Sequence, residues 1–347
     1  MSKNQTPSKG AVKLSEAAIK LDHKLERFMP VVAPFGILLG IFFPDVFVNL
    51  RPFVPWLFGA MTLSGSLKLK SRDLVQVIKN PVPILLFFMT AHFLMPLMVM
   101  FISRLVFGND MDTISGYVLI YSVPTAVSGF IWVTIYRGNP ALSLALILLD
   151  TILAPLVVPG TIKLILGANI ILDMSAMTIT LIFMIVLPTI IGVVLNETSR
   201  GLIPEVCSPY LNPLSKICIL LVIAANCSAV ASQINFLNSR IWIIGLMCIL
   251  FSILGFTCGK FTGLLAQRLG LFGKNPKEKQ VPLFFASGLR NISSAMALGI
   301  EFFPPAAGLP AVLGIVFQQS IAALMGRIFL GKIPADVKET VGKEAVG

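Results

Sequence analysis

Charge is scarce in this sequence. Asp, Glu, Lys and Arg together make up 12% of its 347 residues, against 56% hydrophobic. So few charges cannot cover the surface of a water-soluble domain of this length, which excludes a soluble globular fold. Histidine is nearly absent, and no HExxH motif, Ser/His dyad or pair of acids stands within apolar sequence. That leaves no catalytic cluster for an intramembrane enzyme. Five cysteines (Cys207, Cys218, Cys227, Cys248, Cys258) lie mostly in apolar runs without CxxC or His-paired spacing, and they read as buried small hydrophobes rather than disulfide or metal positions. A cleavable leader is not expected, because the first apolar run begins at Phe28, behind a polar stretch with six basic residues.

What the sequence does hold is apolar runs of about 20 residues, the length that crosses a ~30 Å hydrocarbon core. They fall at 28–47, 52–67, 82–107, 115–136, 140–166, 176–196, 211–233, 241–266, 282–302 and 305–330. The fold class is therefore an all-α membrane protein of about ten transmembrane helices. Residues 1–27 form an N-terminal segment with a short amphipathic helix from Val12, residues 28–330 the membrane domain, and residues 331–347 a tail. The net charge of +11 is spread over short loops rather than one soluble face, so it marks orientation and not nucleic-acid binding. With the N-terminus inside, 20 Lys and Arg residues lie on the cytoplasmic side and four on the other. Both termini are then cytoplasmic, the membrane is the inner one, and Asp110 and Asp112 face outward. Lys216 and Lys260 stand near cytoplasmic helix ends, where a long stem snorkels.

Polar groups deep in hydrocarbon are costly and mark function by default. Asp150 lies about ten residues into the fifth span, and at 1.5 Å per residue that is close to the bilayer centre. Arg290 lies at similar depth in the ninth, within the small, polar run Ala286 to Ser294. The fourth span carries a counterpart around Pro124, Ser128 and Gly129. Two interrupted spans in equivalent places point to a transport site, and with Gly36 to Ile41 laid over Pro188 to Val193 they predict two inverted five-helix repeats. Asn291, Gln318 and Gln319 join the candidate substrate-binding set with Arg290, Ser128 and Gly129. His92 is a candidate proton relay, while Asn226 and Ser228 read equally well as ties between helices.

Several passages are similar to the bile acid:sodium symporter family, also called the BASS or SBF-like family. They are Leu63-Ser64-Gly65-Ser66-Leu67-Lys68-Leu69-Lys70-Ser71-Arg72-Asp73-Leu74, Pro124 with Arg137 to Ser143 and Leu153 to Leu156, Gly288 with Asn291, and Val316 to Gln319. The resemblance implies core and panel domains, helices four and nine crossing at unwound midpoints, and uptake of organic anions with two sodium ions. The sequence departs from the family at the sodium ligands. The motif glutamate is Ala286, the following glutamine is Arg290, a Ser-Asn pair reads Gly129-Phe130, and a threonine falls on Ile147, with Ser143 retained. Asp150, Ser143, Arg290 and His92 are accordingly the ion or coupling candidates.

Two readings of transport follow. One is a carrier or symporter for a small organic anion that does not use sodium (Na+), with a proton (H+) as the alternative coupling ion. The other is a sodium symporter with an altered site built from backbone carbonyls, Asp150 and Ser143. A membrane sensor would append a soluble domain, for which the tail is short. No cofactor is expected. The partners are the substrate anion and the lipid bilayer, in a monomer or weak homo-oligomer.

Overall fold

A computed structural model describes residues 21–22, 25, 31–67, 69, 81–167, 172–234, 238–273 and 275–332. The expected amphipathic helix from Val12, the end of the Leu63 to Leu74 passage and most of the tail lie outside these. The described chain is helical: α1 Val31–Phe42, α2 Pro44–Ser66, α3 Val82–Phe107, α4 Met111–Ser122, α5 Gly129–Ile135, α6 Pro140–Leu166, α7 Met174–Thr198, α8 Leu202–Val230, α9 Ser239–Arg268, α10 Pro276–Gly288, α11 Ile292–Phe302 and α12 Pro305–Leu330. Seven of them (α2, α3, α6, α7, α8, α9, α12) are long and apolar enough to cross a membrane. Two expected spans are not single long helices: the fourth divides into α4 and α5, and the ninth into α10 and α11. Of the first, α1 and the start of α2 are the described part.

Side-chain caps fix several helix starts. Asn139 accepts from Leu142 N (2.9 Å), Asp173 from Ala176 N (2.9 Å) and Asn238 from Arg240 N (2.9 Å). Helices α4, α8 and α10 begin at Met111, Leu202 and Pro276, earlier than hydropathy placed them, because first turns lying beyond the apolar stretch take polar residues freely. Two π turns, Met89–Leu94 in α3 and Ile182–Val186 in α7, each precede a proline, Pro96 and Pro188. The missing N–H of each proline leaves a carbonyl in the preceding turn without its usual partner, and the wider turn takes up the slack.

Two sets of helix packings stand out, joined by one buried apolar cluster. In one, α2 lies against α8 and α7, and α1 lies against α8. Gly40 makes the α1 approach possible, since a Cβ there would collide with Ala224 O and come 2.6 Å from Cys227 Cβ. In the other group, α9 packs on α10 and α12, and α4 on α3, α6 and α12. Tyr117 of α4 is buried and donates to Ile244 O on α9 at 2.8 Å. Lys216, expected near a helix end, stands midway along α8, and its Nζ pairs with Asp22 at 2.8 Å. At the opposite end, Arg240 pairs with Asp110 and donates to Thr113 Oγ1 at 3.1 Å, tying α9 to α4.

Candidate functional site

The two interruptions meet. Pro124 cannot donate a helical hydrogen bond and biases Val123 to extended backbone (ψ 159°), so α4 ends at Ser122. The break spans 123–128, earlier than the Ser128 to Gly129 position expected, and Gly129 is the first residue of α5. In the second interruption Leu289 is extended (ψ 113°) and Asn291 caps α11, its Oδ1 accepting from Ser294 N at 3.2 Å. Thr125 and Arg290 form an antiparallel bridge. Ala126 N donates to Leu289 O (3.1 Å), Asn291 N to Pro124 O (2.9 Å), and Thr125 Oγ1 to Leu289 O (2.8 Å). Each unwound segment thus supplies partners for backbone groups that lipid would leave bare.

Behind the crossing lies a cluster of buried charge. Asp150 has no exposed surface. Its Oδ1 meets His92 Nε2 at 2.7 Å, and its Oδ2 accepts from Thr125 N at 2.7 Å and stands 3.8 Å from Arg290 Nη1. The two mid-span charges Asp150 and Arg290 are therefore paired, at the longest of the three contacts. Arg290 is 1% exposed, and its guanidinium donates to Val123 O (3.3 Å) and Ala91 O. The guanidinium is thereby held in place at the crossing.

In front of the crossing is a cavity of about 340 Å³. Thr125, Ser128, Arg290, Asn291 and Ser293 line it from the crossing, and Gln318 and Gln319 from α12. The opposite wall comes from Phe58, Thr62, Ser66, Thr189 and Ile223, and Leu69 marks its reach toward the end expected to be cytoplasmic. Gln318 Oε1 accepts from Arg290 N (3.2 Å). Gln319 donates to Ser128 Oγ (3.0 Å) and accepts from Trp132 Nε1 (3.0 Å). The structure thus gathers Ser128, Arg290, Asn291, Gln318 and Gln319 at the cavity, and Arg290 also joins His92 and Asp150 in the cluster behind it. Gly129 and Ser143 are buried and do not line the cavity. Asn226 belongs elsewhere, in a second cavity of about 420 Å³ with Arg51 and Glu301. Thr125, Trp132 and the wall from α2 and α7 were missed. Thr125 carried a signal, since a residue following Pro124 in an unwound segment has an N–H that needs an acceptor at its own depth.

A family model described as the sodium bile acid symporter family matches residues 54–236. The chain belongs to that family. Its members are membrane transporters, not enzymes, and this symporter-family chain is a multi-pass membrane protein. An uncharacterised Bacillus subtilis protein, YbaS, is 34% identical over 298 residues, 86% of this chain and 95% of its own length. The rice protein named probable sodium/metabolite cotransporter BASS3, chloroplastic, is 25% identical over 88% of this chain and 70% of its own. The Bacillus subtilis protein named uncharacterized sodium-dependent transporter YocS is 22% identical over 85% and 88%.

Proposed function

We propose that this family member is a secondary transporter, or facilitative carrier, of a small organic anion across the cytoplasmic membrane, and that it works without the usual pair of sodium ions. The observation that carries the reading is the position of Arg290. Its guanidinium sits at the crossing on the Val123 and Ala91 carbonyls and beside Asp150. Carbonyls of unwound helix ends are the groups that hold cations in transporters built this way. A fixed cation there needs no ion to enter, and it repels one. The residues around it do not fit sodium: Ala286 and Ile147 bring no side-chain oxygen, and the carboxylate of Asp150 already has three partners.

The anion would lie in the cavity before the crossing. Ser128, Asn291, Gln318 and Gln319 offer hydroxyl and amide groups there, which suits a carboxylate bearing further polar groups. The scaffold we infer has ten spans in two inverted halves, with α1, α2, α7 and α8 as the panel. Two close approaches support it: Gly40 of α1 seats on α8, and Gly192 of α7, the residue laid over Gly40, seats on Ser66 of α2. Uptake of radiolabelled small carboxylates into proteoliposomes, with a sodium gradient or with choline in its place, tests the reading. Equal uptake supports it. The second reading, a sodium-coupled symporter, is favoured by the names of the plant relatives and of YocS, and predicts uptake only with the gradient.

A further inference from the structure

The cluster behind the crossing is balanced in charge. With Asp150 ionised and His92 neutral, the single positive charge of Arg290 offsets the single negative charge beside it. An anion arriving at the crossing makes the neighbourhood net negative in a medium where unbalanced charge is costly. Sodium would restore balance in a sodium symporter, but the cation position is already held by Arg290. A proton is the remaining cation small enough to enter a packed site.

His92 is built to share it. The ring stands on the π turn Met89–Leu94, stacked on Phe88 at 5.4 Å between centroids and set edge-on to Phe87 at 5.9 Å. One nitrogen lies 2.7 Å from Asp150, and the other, Nδ1, is buried with no hydrogen-bond partner. The elements packed around the pair bring few other ionisable groups. These are Tyr121 of α4, within electrostatic reach of Arg290, and Cys248 of α9, which neighbours Tyr121. The buried stretch of α10 from Leu283 to Gly288 has none.

We propose that the His92–Asp150 pair is a proton-binding site and that its proton is the coupling ion of transport. Bound to the pair, the proton loosens the hold of Asp150 on Thr125 and Arg290 as the anion arrives, so a monoanion and a proton cross together without net charge. The proposal rests on the sodium-free reading above and deepens it.

The sequence has two histidines, so His23→Gln leaves His92 as the sole imidazole. The full-length chain carrying that substitution, labelled with 15N-histidine in lipid nanodiscs, is read by NMR at about pH 8 and about pH 5. The expected result is that the His92 nitrogens leave the neutral Nε2–H pattern on acidification, and that Asp150→Asn abolishes the change. Tyr121→Phe, which removes the neighbouring ionisable group, should leave the change intact and guards against a poorly folded Asp150 variant. A His92 pattern that is constant with pH overturns the proposal, as does a change that survives in Asp150→Asn or vanishes in Tyr121→Phe. Adding sodium chloride separates the two claims: a sodium-induced shift of His92 defeats the sodium-free reading, whereas the response to acid alone decides the proton site.

Discussion

The proposed chemistry turns on two buried residues, Asp150 and Arg290, paired at 3.8 Å. A carboxylate buried in hydrocarbon needs partners, and here His92 and Thr125 N stand at hydrogen-bond distance while Arg290 supplies an opposite charge at 3.8 Å. Arg290→Ala strips the only full positive charge from that set and orphans the Val123 and Ala91 carbonyls. We expect loss of about 3–5 kcal/mol of stability and of all transport, measured by thermal unfolding and by uptake. Arg290→Lys keeps the charge without the planar fork and should fold better while binding carboxylate weakly. Asp150→Asn frees the guanidinium rather than removing it. Anion binding should therefore survive and lose its dependence on pH, read as binding at acid and neutral pH. Asp150 and Arg290 stood out in the sequence as charges at mid-membrane. The role of His92 was half visible. It stands ten residues beyond Val82, as Asp150 stands ten beyond Pro140, so equal depth was legible. Which face of each helix they occupied was not, because the π turn at 89–94 resets the phase of α3.

At the scale of elements, interruptions and close approaches do the positioning. Pro124 and the Gly288 to Asn291 run announced two breaks in sequence, but which backbone groups pair across them depends on tertiary register, and the first break lies several residues ahead of its expected place. Helix starts were displaced for a related reason: hydropathy sees the apolar stretch, whereas caps and exposed first turns extend a helix past it. Glycine roles are likewise decided by neighbours. Gly40 and Gly160 both stand within helices, yet a Cβ at Gly40 collides with the α8 backbone and a Cβ at Gly160 meets nothing within 4 Å. Gly40→Ala should cost about 1–3 kcal/mol through overpacking. Gly160→Ala should be neutral or gain up to about 1 kcal/mol of helix propensity. Thermal unfolding of the two variants in the same detergent checks the contrast, and equal shifts would refute the packing account.

For the whole molecule, membrane residence and helical class were written in composition, and the family in a few short passages. The cavity was not, because its far wall is assembled from α2, α7 and α8, whose lining residues are mostly apolar and look like any lipid-facing or core position. The expected topology, with both termini cytoplasmic, rests on the 20-to-4 division of basic residues. Cysteines placed at Met111 and in the tail should label from outside and from inside respectively in intact cells, and a tail labelled from outside would reverse the orientation. The central claim is that Arg290 fills the role of a cation which the family otherwise recruits. It is tested most directly by uptake of a transported anion into proteoliposomes at fixed membrane potential, with sodium replaced by choline, for the wild type and Arg290→Ala side by side. The account predicts undiminished wild-type uptake without sodium and none in the variant. Strict dependence on sodium, together with wild-type behaviour of Arg290→Ala, would contradict it.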